Sequence, residues 1–159
     1  EGYWKNDKQN GIGKEHWPDK TQYEGEYLNG LRCGKGTLRM KDGSVYEGEF
    51  RKNTLNGIGT YKWADGKIYE GDWLNGKMSG TGVLKWLDGR KYSGSFKNDK
   101  KHGKGEFTWK NGTKYIGTWD NGKQHGKGIY IDEVGDAKKG EWIQGKRVRW
   151  LDADTKEEE

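Results

Sequence analysis

Glycine, lysine and histidine crowd the segment from residue 115 to residue 128, YIGTWDNGKQHGKG. This composition is typical of loops that cradle phosphate. A P-loop, however, requires Gly-x4-Gly-Lys-Ser/Thr at the start of a helix, where loop amides and the lysine hold the phosphates together. Here three residues separate Gly122 from Gly126, and Lys-Gly follows. The segment therefore predicts no nucleotide site.

The other reactive residue types do not form a catalytic or metal-binding pattern. His102 and His125 lie 23 residues apart, and no Cys or His pair has the spacing of zinc ligands. The carboxylates recur periodically, which disfavours a couple with separate acid and base roles. Serine is scarce and Cys33 is the only cysteine, so no nucleophile with a histidine base is expected. We expect no enzymatic activity and no cofactor.

The composition indicates packed aromatic side chains without a large core. Only 29% of the 159 residues are apolar and 35% are charged, which is too little apolar surface for an ordinary globular core. Nine Trp, nine Tyr and three Phe nevertheless exceed what disordered chains carry. The net charge of +5 predicts weak attraction to acidic surfaces. The lone cysteine, and the lack of a long apolar run or a signal-peptide pattern, favour a soluble cytoplasmic protein.

A repeat of 23 residues organises the chain. Its clearest element is Tyr-x-Gly-x-aromatic, and we number repeat positions from this tyrosine as position 0. Glycine recurs at positions 11 and 13, an apolar or aromatic residue at position 15, and mostly Trp at position 17. Asp-Gly or Asn-Gly follows at positions 19 and 20. A period of this length is typical of stacked supersecondary units.

The repeat divides the chain into four predicted parts. Residues 1–22 form a partial N-terminal repeat that reads as a cut through a longer array, and residues 23–137 form five repeats. Residues 138–150 form a C-terminal capping half-repeat, in which Lys138 replaces the tyrosine. Residues 151–159 are an acidic tail, for which we consider both a helical turn over the last strand and disorder. Arg147 and Arg149 are its candidate anchors.

Alternation within each repeat predicts two strands. Positions 0 to 4 alternate aromatic or glycine residues with mostly acidic ones, and positions 11 to 17 also alternate. A helix is disfavoured because each interior glycine costs about 1 kcal/mol. We therefore expect an all-β fold, an elongated single-layer antiparallel β-meander of tandem 23-residue hairpins. Rings and glycines should share one face, and charged residues the other.

Two connections set the expected register. A four-residue loop at positions 7 to 10 pairs position 0 with position 17, so that Tyr69 faces Trp86, while Glu47 faces Lys62 in a ladder of ion pairs on the reverse face. Between repeats, a three-residue type I turn at positions 18 to 20 is expected, with a left-handed glycine in a G1 bulge. That turn corrects the parity of the odd repeat. Position 15 then faces the next tyrosine.

The spacing resembles that of the MORN repeat, whose pattern is close to YxGxWxxGxxxGxGxxxxxDGxxY. The resemblance covers the chain from about Gly2 to Gly145 and departs from the pattern locally, where Asn53 and Asp99 replace glycine and Met40 replaces an aromatic residue. It implies a curved, twisted sheet with a ring-lined groove. It also implies an assembly platform. Members of the family are linked to membrane-apposed scaffolds, to cytoskeletal and ciliary structures and to the capture of peptides, and the repeats also occur as appendages of lipid kinases.

The aromatic stripe predicts a groove that binds a partner protein, as an extended peptide or a helix, because a single-layer sheet leaves such rings uncovered. Self-packing that stiffens the sheet is the alternative interpretation of each ring. The predicted groove residues are Tyr23, Tyr46, Trp63, Tyr69, Trp73, Trp86, Tyr92, Trp109, Tyr115 and Trp119.

Basic loops favour an alternative function, the binding of anionic phospholipids such as phosphoinositides. Solvation of ordinary surface lysines explains them equally well. The predicted lipid-binding residues lie in the loops 97–104 and 123–127 and are Lys97, Lys100, Lys101, Lys104, Lys123 and Lys127.

Other partners and locations follow from the same features. Nucleic acid is disfavoured because base stacking needs a positive groove beside the rings. Open sheet ends favour end-to-end self-association. Family habit favours a cytoskeletal or ciliary location, and the basic loops favour a peripheral membrane location.

Overall fold

The computed structural model describes residues 2–5 and 8–151, with the backbone alone for residues 3–5. The described residues form fourteen strands and no helix. The strands are β1 (Gly2–Lys5), β2 (Lys8–His16), β3 (Gln22–Leu28), β4 (Leu31–Arg39), β5 (Val45–Arg51), β6 (Thr54–Lys62), β7 (Ile68–Leu74), β8 (Lys77–Lys85), β9 (Lys91–Lys97), β10 (Lys100–Thr108), β11 (Lys114–Asp120), β12 (Lys123–Ile131), β13 (Ala137–Ile143) and β14 (Lys146–Trp150).

The strands form one open sheet whose order is the order of the chain, β1 to β14. Each strand pairs antiparallel with the next, so the sheet is a meander, as predicted from the repeat. In the described part of the chain there is no helix with the length and apolarity needed to cross a bilayer. The sheet has two faces, which we call the aromatic face (positions 0, 4, 9, 15 and 17) and the polar face.

The connection between repeats is the predicted three-residue turn. Trp63 donates its N–H to the carbonyl of Lys67 at 2.9 Å and accepts the N–H of Gly66 at 3.0 Å. Gly66 has φ +94°, which favours glycine, and the Asp65 carboxylate accepts the N–H of Lys67 at 2.9 Å. Tyr69 consequently pairs with Tyr61 of the preceding repeat, which confirms the predicted register between repeats.

The register within a repeat differs from the prediction. Tyr69 pairs with Leu84 and not with Trp86. Glu47 pairs with Thr60 and not with Lys62, so the expected ladder of ion pairs does not form there. The prediction was wrong because it treated positions 8 to 10 as loop, whereas the strands continue through them.

A tight turn and a bulge replace the four-residue loop. Strand β7 ends at Leu74 and β8 begins at Lys77, so Asn75 and Gly76 make a two-residue turn, with φ +49° and +78°. Positive φ at both residues is the type I′ geometry, which Asn-Gly favours. The pairing then shifts between Gly71 and Trp73, where β8 carries extra residues. This bulge restores the alignment of the glycines.

Each type I′ turn is hydrogen-bonded to the hairpin of the preceding repeat. The side chain that accepts this hydrogen bond comes from the preceding repeat in some cases and from the turn itself in others. Where position 7 is glycine, the residue at position 10 of the preceding repeat caps the turn, as when Asn56 Oδ1 accepts the N–H of Asn75 at 3.1 Å. Where position 7 is Asn or Asp, that side chain accepts a hydrogen bond from the backbone of the preceding repeat, as when Asn53 Oδ1 accepts the N–H of Arg32 at 2.8 Å. Position 10 is then the small residue Cys33. Each turn is therefore matched to the one before it.

Candidate functional site

The five repeat tyrosines form the floor of the aromatic face and are not its exposed lining. Their exposed fractions are 0% or 1%, so a partner cannot contact these rings. This corrects their assignment to the partner-binding surface. The residues concerned are Tyr23, Tyr46, Tyr69, Tyr92 and Tyr115.

Each floor tyrosine is held between two perpendicular rings, which explains its complete burial in a single layer. The Tyr69 ring lies 5.1 Å from Trp73 of its own repeat and 5.2 Å from Phe96 of the next, at interplanar angles of 89° and 87°. Edge-to-face contacts of this kind contribute about 0.5–1.5 kcal/mol each beyond burial. Because each tyrosine contacts a ring of its own repeat and a ring of the next, these contacts stabilise the packing of successive repeats along the sheet.

Hydrogen bonds fix the tyrosine hydroxyls. The hydroxyl of Tyr69 donates to the carbonyl of Asp72 at 2.8 Å, and that of Tyr46 donates to the carbonyl of Glu49 at 2.8 Å. Burial of the phenol raises the pKa of Tyr46 to about 12, and the Glu49 carboxylate adds to this shift. The phenols are therefore structural, since a general acid or base near neutral pH needs a pKa close to 7.

Trp73 and Trp119 also belong to the floor. They are 6% and 7% exposed, and the Trp73 indole N–H donates to the carbonyl of Gly59 at 3.1 Å. The Trp119 indole N–H donates to the carbonyl of Gly105 at 3.3 Å. Both rings are committed to the sheet, which removes them from the expected partner-binding set.

The remaining predicted groove residues, Trp63, Trp86 and Trp109, stand above this floor. They are half-buried and pack against the core from outside. We call this outer set the ring ridge. It comprises Trp17, Tyr61, Trp63, Trp86, Trp109 and Tyr130.

Repeat position 9 completes the aromatic face and was missed by the sequence analysis, which placed it in a loop. Its side chains face the ring at position 4 of the same repeat, as Met78 faces Trp73 and Lys101 faces Phe96. The column formed by position 9 runs Gln9, Arg32, Leu55, Met78, Lys101, Gln124 and Arg147. Arg32, Lys101 and Arg147 thus place cations on the face of the sheet that was expected to be uncharged.

Lys101 was expected to face lipid headgroups but lies among rings. Its ammonium is 5.2 Å from the centroid of Trp119 and 5.5 Å from that of Phe107. Burial lowers the pKa of Lys101, and the charge of Arg90 adds to the effect. Beside it a cleft of about 270 Å³ opens, lined also by Trp109. The site can receive an anion or an apolar group from outside.

The other five predicted lipid-binding lysines share the polar face. All are exposed, and none makes an ion pair with another described residue. They lie in strands and not in loops, and Lys97 and Lys100 are directly paired across β9 and β10. The set is Lys97, Lys100, Lys104, Lys123 and Lys127.

The acidic side chains at position 3 accept hydrogen bonds from backbone amides of the bulges. Glu49 accepts the N–H of Ile58 at 2.7 Å, and Asp72 accepts the N–H of Thr81 at 2.9 Å. These amides lie where the extra residues interrupt the ladder. The carboxylates thereby satisfy backbone groups that the bulge leaves open, which is a structural role.

His102 and His125 accept hydrogen bonds from turn amides. His102 Nδ1 accepts the N–H of Asn121 at 3.4 Å, and His125 Nδ1 accepts the N–H of Gln144 at 3.2 Å. Among the residues that the structure describes, no group of three or more His, Cys, Asp or Glu is placed to hold a metal ion.

The candidate anchors of the acidic tail have partners within the sheet. Arg149 forms an ion pair with Glu141 at 2.6 Å, and the Arg147 guanidinium lies 4.2 Å from the ring centroid of Trp150. Of the predicted tail, residues 151–159, only Leu151 is described, and it donates its N–H to the carbonyl of Lys139 at 2.9 Å. The prediction for residues 152–159 lies outside the described residues.

Comparison with known proteins gives one family and similarities to solved structures. No curated protein matches the sequence. Among 36 matching chains of solved structures is the SAS-4 (dCPAP) TCP domain in complex with a proline-rich motif of Ana2 (dSTIL) of Drosophila melanogaster. It shares 13% identity over 89% of this chain and 85% of that chain, with a TM-score of 0.48. Similarity at this level identifies no function.

The family assignment rests on the sequence itself. The MORN repeat profile matches residues 1–22, 23–45, 46–68, 69–89, 92–114 and 115–137, which together span nearly the whole chain. The matched segments coincide with the hairpins of the sheet. The chain belongs to the MORN repeat family.

Proposed function

We propose that the chain is a non-enzymatic protein-interaction module that holds a partner segment along the ring ridge. The observation that carries this proposal is the division of the aromatic face into two levels. The floor is buried by its own contacts, whereas the ridge residues, such as Trp86 and Trp109, are only half-buried above it. Large rings that remain accessible on one face of a fold are typical of binding surfaces.

The family supports this function at a coarse level. MORN repeats are a non-catalytic module type, and the reactive side chains examined above have structural roles. The family's association with scaffolds supports a cytoskeletal or ciliary assembly as the setting. Localisation of a tagged full-length chain in ciliated cells tests that setting, and a diffuse distribution contradicts it.

Site-specific photo-crosslinking in native cells tests the proposal. A photoreactive amino acid in place of Trp109, on the ridge, should give discrete protein adducts. The matched control carries the photoreactive amino acid in place of Ile58, which is 66% exposed on the polar face. Adducts that form equally from both faces contradict a ridge-specific partner, as does a complete lack of adducts from the ridge. Circular dichroism checks that both variants keep the sheet.

The polar face supports a second candidate function, binding to anionic membranes. The five exposed lysines without ion-pair partners among the described residues lie on β9, β10 and β12, with Lys97 beside Lys100. Each lysine near an anionic membrane surface contributes about 1 kcal/mol. Since Lys101 faces the other way, it does not belong to this patch.

Sedimentation with vesicles containing phosphatidylserine or a phosphoinositide tests the second candidate. Binding should weaken as salt increases, and Lys100→Glu with Lys104→Glu should reduce it sharply, whereas Lys101→Met should leave it unchanged. Equal sedimentation with neutral vesicles, or no effect of the charge reversals, contradicts the membrane function. Neither result bears on protein binding at the ridge.

A further inference from the structure

We propose that the aromatic face takes an acidic partner peptide in a polyproline-II conformation, with two carboxylates nine residues apart that pair with Arg32 and Lys101. This inference rests on the proposed protein-binding function and names the chemistry of the partner.

The two cations occupy equivalent sites in different repeats. Arg32 and Lys101 both stand at position 9, three repeats apart. The Arg32 guanidinium carbon lies 5.6 Å from the centroid of Tyr23 and 5.9 Å from that of Phe50. The Lys101 ammonium lies 5.9 Å from Tyr92 and similarly close to the ring at position 4 of the next repeat.

Neither cation has an acidic partner within the described part of the chain. The ion pairs there include neither Arg32 nor Lys101. One Arg32 amine donates to the carbonyl of Asn53 at 3.3 Å, but its Nε is buried without a hydrogen-bond partner. Both side chains are half-buried. A partly desolvated charge without a counterion carries a free-energy cost, and a carboxylate supplied from outside would offset that cost.

The residues between the cations are apolar. Leu55 and Met78 occupy position 9 in the two intervening repeats. Leu55 is half-buried against the core, whereas Met78 is part of the core and only 8% exposed, so it offers a partner an apolar edge and not a whole side chain. A complementary partner therefore presents an acid, two apolar residues and a second acid, in that order, to successive repeats. The sequence of chemical types along this column selects against uniformly acidic or uniformly apolar segments.

The spacing of the column selects the partner's backbone. Adjacent strands are about 4.8 Å apart, so equivalent positions in successive repeats are about 9.6 Å apart. A polyproline-II segment turns once every three residues with a rise of about 3.1 Å each, or about 9.3 Å per turn. Every third side chain then meets one repeat. Nine residues cover about 28 Å, against about 29 Å between Arg32 and Lys101.

Other backbones fit the column less well. An α-helix returns to the same face after about seven residues and 10.5 Å, which accumulates a mismatch of nearly 3 Å over three repeats. A β-strand alternates its side chains, so every third residue does not face the sheet. Aromatic grooves also suit polyproline II, which loses little entropy on binding.

The test uses synthetic peptides and the whole chain. The first peptide has two glutamates nine residues apart, leucine at every third position between them and proline elsewhere. Its counterparts replace glutamate with glutamine or shorten the spacing to six residues. A helical peptide with glutamates at an equal distance is the competing occupant. Fluorescence anisotropy measures each affinity.

Natural residues of the repeat supply the protein variants. Lys101→Met and Arg32→Leu copy Met78 and Leu55 at the equivalent position, so both should fold. Each should weaken binding of the glutamate peptide about tenfold or more and leave the glutamine peptide unchanged. Lys100→Met is the control, since it removes the same charge from the polar face and should have no effect.

Moving the cation provides a gain-of-function arm. Lys101→Met combined with Met78→Lys places the ammonium one repeat closer to Arg32, so the preferred glutamate spacing should fall from nine to six residues. The proposal is overturned if the nine-residue peptide does not bind, if the Lys101→Met chain binds it as tightly as the parent chain, or if the helical peptide binds more tightly. Crosslinking at the ridge judges the protein-binding function separately, so the two can fail independently.

Discussion

The ring of Tyr46 fills the space that a side chain at Gly59 would need. A β-carbon built on Gly59 would lie closer than 3.0 Å to three atoms of the tyrosine, namely its hydroxyl oxygen and two ring carbons. The tyrosine can therefore reach its hydrogen-bond acceptor, the carbonyl of Glu49, only because position 13 carries no side chain. The glycine and the tyrosine of the repeat form a single packing unit.

Gly59→Ala should destabilise the chain through this contact. Overpacking of this kind costs about 1–3 kcal/mol, measured as the free energy of unfolding in urea. In the Tyr46→Leu background the same substitution should cost less, because the smaller side chain leaves room, so a double-mutant cycle should show positive coupling. Equal costs in both backgrounds would show that the ring and the glycine are independent.

Alkaline pH should destabilise the sheet through its tyrosines. Burial raises the pKa of Tyr23 and Tyr46 to about 12, from 10.0. Between these values the unfolded chain has released the phenolic protons while the folded chain retains them. Stability is therefore fully present below pH 10 and falls as pH rises toward about 12. Each such tyrosine adds at most about 1.4 kcal/mol per pH unit to the slope.

Urea unfolding at several pH values from 9 to 11.5 measures that slope. The Tyr46→Phe chain should lose stability less steeply than the parent chain, since it has one fewer phenol to ionise. Parallel pH profiles for the two chains would contradict the assignment of the effect to Tyr46.

The turn hydrogen bonds should be interchangeable between their two forms. Asn56→Ser removes the cap of the Asn75 amide and should cost about 1 kcal/mol. Adding Gly76→Asn should restore most of this loss, because the new side chain can reach back as Asn53 does. Gly76 has φ +78° and no atom within 4 Å of a built β-carbon, and asparagine tolerates that geometry. A double variant no more stable than Asn56→Ser would contradict the reciprocal scheme.

Lys101→Met should stabilise the isolated chain. It removes a desolvated charge and places at position 9 the residue that the preceding repeat already carries as Met78. We expect a gain of about 0.5–2 kcal/mol in the free energy of unfolding. Lys100→Met, on the exposed polar face, should change stability by much less. A loss of stability on Lys101→Met would indicate that its contacts with the rings outweigh its desolvation.

The sequence predicted the features that depend on short-range pattern. Alternation at positions 0 to 4 and the Asp65-Gly66 turn predicted the strands, the meander and the register between repeats correctly. These features follow from side-chain period and from the conformational preference of glycine, both of which are local properties.

The register within a repeat was not predictable in the same way. The pairing of Tyr69 with Leu84 depends on a two-residue turn at Asn75-Gly76 and on a bulge near Gly80. A loop of four residues satisfies the same parity, so alternation cannot distinguish the two. The error placed Lys101 in a loop and not in a strand on the aromatic face. It also hid the burial of the tyrosines, which depends on perpendicular rings from the neighbouring repeat.

One signal in the sequence did point to the turn contacts. Asn53 and Asp99 depart from glycine at position 7, and one repeat earlier position 10 changes to the small residues Cys33 and Ser79. Two departures that recur together at a fixed separation indicate contact between the side chains concerned.

The pairing of position 10 of one repeat with position 7 of the next limits which repeats can be joined. Excision of residues 46–68 alone would bring Cys33 against Gly76, a junction in which neither side chain can supply the hydrogen bond. Excision of residues 46–91 would bring Cys33 against Asp99, a compatible junction. Loss of the unit 46–68 is therefore compatible with the turn contacts when the unit 69–91 is lost with it.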